Sequence, residues 1–323
     1  MSLPPILADL RLPVIAAPMF IVSGPELVIA QCRSGILGSF PALNARPAAQ
    51  LDEWLGQITG ALAAAGPNGK AAPFAVNLIV HKTNARLEED LAICAKWKVP
   101  VVITSLGARE DVNDAVHGWG GIVLHDVIDD AFARKAIEKG ADGLVAVAAG
   151  AGGHAGKLSP LALMQEIRAW FDGPVALSGA IASGRSILAA QAMAADLAYI
   201  GSAWIATDEA NAIEGYKRAV VESGAADIVY SNLFTGIHGN YLRSSIIAAG
   251  LDPDNLPSSD ASKMDFGSGS PTDAKAWRDI WGSGQGIGAI TAIESVAARV
   301  SRLAAEYQDA KDELARRLTP SSA

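Results

Sequence analysis

The sequence predicts an α/β fold: a (β/α)8 TIM barrel carrying a small, mostly helical inserted second domain. Three observations lead there. Eight short apolar runs recur, at 14–19, 36–40, 74–79, 101–106, 121–126, 143–148, 175–180 and 197–202. They are apolar on consecutive positions, as suits strands buried on both faces of a parallel sheet. Segments of helical period lie between them. The first run is followed by Ala17-Pro18-Met19-Phe20 and not by a GxGxxG turn, which counts against the main rival, a doubly wound sheet.

The connecting helices can be placed in order. Leu87, Leu91 and Cys94 share one face between the third and fourth runs, and Phe132, Ala136 and Ile137 mark a helix between the fifth and sixth. Ser159 as a cap and Pro160 at the first helical position open the next helix, whose apolar face is Leu163, Ile167 and Phe171. After Trp204 the pattern changes. Helical pieces at 212–223 and 241–249 precede a Pro/Ser/Gly/Asp-rich stretch at 251–272 that reads as mobile loop. Ile293, Val296, Val300 and Leu303 then restore an amphipathic helix. The expected division is a barrel formed by 1–206 with 289–323, and a helical unit, 207–288, covering its mouth.

Composition bounds the function. Half of the 323 residues are hydrophobic and 19% are charged, so a large core is available. The balance of 26 basic and 34 acidic residues, net −8, argues against a nucleic-acid footprint. Cys32 and Cys94 are too few for a disulfide framework and have no metal-ligand spacing. Both fall within expected helices, which disfavours a barrel dehydrogenase built on a cysteine nucleophile. Residues 1–20 lack a basic start and are broken by Pro4, Pro5, Pro13 and Pro18, so no signal peptide is read there. No run approaches the roughly 18–20 apolar residues that span a bilayer. The expectation is a soluble, cytoplasmic protein with neither membrane nor nucleic acid as partner.

The densest signal is Ala148-Ala149-Gly150-Ala151-Gly152-Gly153-His154-Ala155-Gly156, directly after the sixth apolar run. Glycine removes the bulk that keeps a flat ligand away from backbone, and it admits positive φ. One imidazole stands among these small residues, at the carboxyl end of a strand where barrels place their chemistry. The seventh and eighth runs end in Ser178-Gly179-Ala180 and Gly201-Ser202, positions whose backbone N–H groups can cradle a phosphate. Neither acids nor histidines show metal spacing, so no metal is expected.

These motifs occur in one order: Ala17-Pro18-Met19, Val76-Asn77, Ala151-Gly152-Gly153-His154, Ser178-Gly179, Gly201-Ser202, Phe234-Thr235-Gly236 and Ser283-Gly284-Gln285-Gly286. Over essentially its whole length the chain resembles the nitronate monooxygenases, formerly called 2-nitropropane dioxygenases. The resemblance implies a flavoprotein holding FMN at the barrel mouth. It places Met19 and Asn77 at the isoalloxazine, and Ser178, Gly179, Ala180, Gly201 and Ser202 at the phosphate end. Gly152 and Gly153 pass close to the ring, Gln285 approaches from the second unit, and His154 faces the substrate. Two departures stand out. Gly150 or Ala151 replaces a glutamate that relatives often carry, and His125 stands where they often carry lysine; His125 is assigned a cofactor contact.

His238 is a candidate for the substrate entrance, and Ser105 for a flavin-facing strand end. Trp277 and Trp281 read as packing of the cover, His81 and His117 as surface histidines, and Glu88, Glu89 and Asp90 as a solvated helix face. The implied reaction is oxidation of an alkyl nitronate, or of a nitroalkane deprotonated by His154, with O2 to a carbonyl compound and nitrite. The closest rival is an NAD(P)H-dependent flavin reductase acting on a quinone or enoyl thioester. A flavin-free phosphate-binding barrel, or a binding protein without catalysis, belongs to a different class. The oligomeric state stays open, a homodimer included.

Overall fold

A computed structural model describes residues 3–64, 71–259 and 279–319. Its centre is an eight-stranded parallel sheet in the spatial order β1-β9-β8-β6-β5-β4-β3-β2. The strands are β1 (Val14–Ala16), β2 (Gly38–Pro41), β3 (Phe74–Ile79), β4 (Val101–Ser105), β5 (Ile122–Val127), β6 (Gly143–Val147), β8 (Val175–Ser178) and β9 (Leu197–Ile200). Parallel pairing between Ile15 and Leu37 closes the ring between β1 and β2. Helices occupy the crossovers, so the fold is the TIM barrel that the eight apolar runs predict.

Because both faces are buried, alternation along each strand separates two cores. Ile15, Leu37, Ala75, Val101, Ile103, Leu124, Val145, Ala176 and Leu197 fill the barrel interior. Val76, Leu78, Val102, Val123, Val127, Leu144 and Ala146 pack outward against helix residues such as Val112, Val116, Ala133 and Ala136. The last helix, Val296–Leu318, lies across the helix Gly184–Ala192. A Cβ on Gly184 would stand 2.1 Å from the Tyr307 nitrogen, so glycine sets how closely the two helices meet.

Three details differ from the sequence expectation. Residues 241–249 do not form one helix. Gly239–Leu242 is β11, paired antiparallel with β10 (Ile228–Ser231), and only Arg243–Ala248 is helical. Ladder pairing and burial of Tyr241 and Leu242 outweigh their local helical period. Between β6 and β8 the chain also forms a short strand, β7 (Gly153–His154), which joins this hairpin as a third strand. Asp90 is fully buried and bonded to Arg86 at 2.6 Å, so it is not part of a solvated face; burial raises its carboxyl pKa. Cys32 and Cys94 are buried, with the Cys32 thiol pushed up to about 12 and that of Cys94 also raised, so neither supplies a thiolate. Among the described residues no helix is long and apolar enough to cross a membrane.

Candidate active site

One half of the barrel mouth is built from side chains. Asn77, Ser105 and Asp126 lie toward the carboxyl ends of the interior-facing rows of β3, β4 and β5, in phase with Ala75, Ile103 and Leu124. Asn77 Nδ2 donates to the Ile103 carbonyl at 3.0 Å and to Ser105 Oγ at 2.8 Å. Ser105 Oγ donates in turn to Asp126 Oδ2 at 2.5 Å. Burial pushes the Asp126 carboxyl up to about 7, against the pull of the Ser105 hydrogen bond.

His125 is not part of this set. It lies in phase with Val123 and Val127, which pack outward against the helices. Its Nδ1 bonds Thr104 Oγ1 on the neighbouring strand at 2.6 Å, and burial holds its pKa down to about 4. The side chain expected to contact the cofactor thus lies on the outward-facing phase of β5, and Asp126 on the interior phase.

The other half is built from backbone. The N–H groups of Gly179, Gly201 and Ser202 take no hydrogen-bond partner among the described residues. Gly179 has φ +137° and Ala180, a non-glycine residue, φ +55°, so the end of β8 curls in a left-handed turn. Ser178 is buried at the last residue of β8. A Cβ on Gly201 would lie in ordinary contact with Ala17 Cβ at 3.5 Å and Met19 Sδ at 3.9 Å, so the space beside it is limited to a small group. The Met19 loop is pinned by Asn44 Nδ2, which donates to the Met19 and Ser23 carbonyls at 3.0 and 2.8 Å.

The glycine loop proves to be a crossing of two protein segments. Gln285 N donates to the Gly150 carbonyl at 2.9 Å, and Gly284 N to Ser202 Oγ at 2.8 Å. A Cβ on Gly152 would stand 2.7 Å from Gly284 N, and one on Gly284 2.6 Å from the Gly150 oxygen. Gly152 is therefore glycine to admit the 283–286 segment. Gly153, at φ +67° with nothing within 4 Å of an added Cβ, faces open space.

His154 is fixed from the covering hairpin. It pairs with Gly239 across β7 and β11, and its Nε2 lies 2.9 Å from Thr235 Oγ1. Burial lowers its pKa to about 4, so the ring is neutral at pH 7. Thr235 lies 81 residues along the chain, and its partnership with His154 was not foreseen, although Phe234-Thr235-Gly236 was among the ordered motifs. Tyr230 stacks on His238 at 5.0 Å and donates to the Ala155 carbonyl at 3.2 Å, so His238 sits beside the loop that carries His154. Trp281 stacks on Tyr216 at 5.1 Å, as packing of the cover; Trp277 lies outside the described residues, as does the loop stretch from 260 onward. His117 pairs with Asp142 and His81 with Thr83.

Comparison with known proteins agrees with this architecture. The nitronate monooxygenase family profile matches residues 83–305. A nitronate monooxygenase of Paraburkholderia phytofirmans is 27% identical over 292 residues, covering 75% of this chain and 76% of that protein. The nitroalkane oxidase of Streptomyces ansochromogenes superposes with a TM-score of 0.79 at 25% identity, over 94% of this chain and 98% of that one. FabK from Thermotoga maritima shares the fold, with a TM-score of 0.77 at 21% identity over 97% of each chain. The chain belongs to the nitronate monooxygenase family and is a flavin-dependent oxidoreductase acting on a small molecule.

Proposed function

We propose that this enzyme is an FMN-dependent nitronate monooxygenase that converts alkyl nitronates, and nitroalkanes it can deprotonate, with O2 into carbonyl compounds and nitrite. The observation that carries the reading is His154: a half-buried imidazole with a lowered pKa, held through Nε2 by Thr235 at the end of a strand-to-hairpin loop. The family and the nitroalkane oxidase likeness support the substrate class. We take 1–206 with 289–323 as the cofactor-binding barrel and 207–288 as the unit that covers substrate.

The mouth suits FMN. The unpartnered N–H groups of Gly179, Gly201 and Ser202 form a cradle for a phosphate, and the left-handed turn at Gly179-Ala180 turns backbone toward it. Bound FMN supplies the redox-active ring that accepts electrons from substrate and passes them to O2. Asn77 has committed its amide donor to Ile103 and Ser105, so it offers a ring only its carbonyl oxygen. Met19, Gly153 and Gln285 border the remaining space.

Thr235 can serve His154 in two ways. When Thr235 donates to the Ile237 carbonyl, 3.1 Å away, His154 Nε2–H donates to Thr235 and Nδ1 bears the lone pair. That tautomer can take the α-proton of a nitroalkane. When Thr235 donates to Nε2 instead, Nδ1 carries the proton and can hydrogen-bond a nitronate oxygen. A bound anion beside the ring favours the charged imidazole and pulls its pKa back up.

His154→Ala is expected to lower kcat/KM for alkyl nitronate by about 10²-fold or more, the usual worth of a positioned acid or base, while FMN stays bound. Near-normal kcat/KM in that variant overturns the assignment. On the FMN-loaded enzyme, O2 uptake with nitronate and no anaerobic bleaching by NADH is expected; rapid bleaching by NADH favours the reductase reading.

A further inference from the structure

The Thr235 hydroxyl is the hub of a small network that ends on His154. Besides His154 Nε2 at 2.9 Å, it lies 3.1 Å from the Ile237 carbonyl and hydrogen-bonds the Tyr241 phenol. Strand pairing gathers these groups. His154 pairs with Gly239 across β7 and β11, and Tyr241, two residues further on, lies on the same face of β11 as Gly239. A Cβ on Gly239 would stand 2.9 Å from the Tyr241 hydroxyl oxygen, so glycine makes room for the phenol. Thr235 and His154 are half-buried, and Tyr241 is buried.

Counting protons decides how the network is arranged. A threonine hydroxyl has one proton to give and two lone pairs to receive. The Ile237 carbonyl can only accept, whereas a neutral imidazole nitrogen can do either. The phenol, pushed up to about 12 by burial, keeps its proton at neutral pH and can donate it. If Thr235 donates to the carbonyl, it accepts from the phenol and from Nε2–H, and all three contacts are hydrogen bonds. If Thr235 donates to Nε2 instead, the carbonyl loses its bond. The first arrangement keeps one hydrogen bond more.

We infer that Thr235, backed by Tyr241 and the Ile237 carbonyl, is a positioning residue that keeps the His154 proton on Nε2 and the lone pair on Nδ1, which sets the site to deprotonate neutral nitroalkanes and not only to receive nitronates. The inference deepens the function proposed above and rests on it. In the proton step the α-C–H bond breaks, its electron pair stays on the resulting nitronate, and Nδ1 takes the proton; nothing is oxidised until the nitronate has formed. Thr235 acts on this step through the imidazole alone.

Two measurements test it. In nitrogen NMR of the ligand-free protein with isotope-labelled histidine, His154→Ala identifies the His154 signals. They are expected to show a protonated Nε2 and a bare Nδ1 at neutral pH; the opposite tautomer, or an even mixture, overturns the inference. The second is O2 uptake by the FMN-loaded enzyme with a nitroalkane and with its nitronate. Thr235→Val is expected to lower kcat/KM for the nitroalkane about tenfold more than for the nitronate, a fraction of the worth of a positioned base. Thr235→Ser, which keeps the hydroxyl, should restore most of that ratio. Equal losses on the two substrates, or no recovery in Thr235→Ser, overturn the inference, since a merely structural threonine would affect both substrates alike. The tautomer of the wild type decides the matter even where Thr235→Val folds poorly. Near-normal turnover of both substrates in His154→Ala overturns the proposed function and this inference together; the opposite tautomer in an enzyme that His154→Ala disables overturns this inference alone.

Discussion

The two halves of the barrel mouth are built by different means. At β3, β4 and β5 the mouth carries Asn77, Ser105 and Asp126, side chains that hydrogen-bond one another from strand to neighbouring strand. At β6, β8 and β9 the side chains are nearly absent, and backbone N–H groups and left-handed turns take over. The side-chain half is tunable by protonation. The backbone half carries donors that no pH can remove, as a phosphate requires. The difference teaches that the mouth is chemically adjustable on one side only, and that His154 hangs between the two, on a loop from the backbone half that is held by Thr235 of the cover.

The largest effect that tests this contrast is on the stability of the apoprotein. Asp126 has a folded pKa of about 7 against an ordinary value of 3.8. The native state therefore binds more protons between those limits, and the stability present below pH 3.8 is lost as pH rises toward about 7. His154 runs the other way. Its folded pKa of about 4 lies below the usual 6.5, so its contribution is present above pH 6.5 and is lost as pH falls toward 4. The two slopes oppose each other across mildly acid pH. Asp126→Asn removes the first of these slopes. It is expected to stabilise the apoprotein by roughly 2–4 kcal/mol at pH 8 and to change little at pH 4, as read by urea denaturation at both pH values. Equal effects at the two pH values contradict a buried, titrating carboxyl.

A second effect, expected to be somewhat smaller, concerns the glycine loop. Gly152→Ala places a methyl 2.7 Å from the Gly284 nitrogen and 3.0 Å from the Ser283 carbonyl carbon, both backbone. Neither can swing aside as a side chain does, so the loop and the 283–286 segment must part. The cost is that of overpacking, roughly 1–3 kcal/mol, read as a lower Tm of the apoprotein. A Tm equal to the wild type's would mean that the crossing is loose, and that ligand approach alone requires glycine there.

These residues also mark how far the sequence could be read. The eight strands were legible because unbroken apolar runs between helical periods have few other uses. The hairpin of β10 and β11 was not, since its register comes from pairing with distant residues, including His154 itself. The glycine loop was legible as a place of close approach, but glycine does not say what approaches: at Gly152 it is Gly284, while Gly153 borders open space. His125 and Asp126 show the limit most sharply. Val123 and Leu124 are both apolar and both buried, so the run carries no phase, and a shift of one residue exchanges the two faces. The available signal was chemical: an aspartate near the end of an apolar strand, following Ser105 and Asn77 near the ends of the two strands before it.

The smallest expected effect on stability falls on the backbone half, at Gly201. An alanine methyl there meets Ala17 Cβ at 3.5 Å and Met19 Sδ at 3.9 Å, both ordinary contacts, and Gly201 has negative φ. Gly201→Ala should therefore fold with a Tm within about 1 °C of the wild type, since surface-like changes without strain stay within about 0.5 kcal/mol. Its methyl would nevertheless occupy the space beside the unpartnered N–H groups of Gly201 and Ser202. If those groups hold the phosphate, FMN affinity falls about tenfold or more, while riboflavin, which lacks the phosphate, loses little. The ratio of the two affinities is the measurement. An unchanged ratio moves the phosphate away from β9 and leaves the Gly179 N–H to hold it, so a substitution nearly silent in stability decides how the backbone half of the mouth is used.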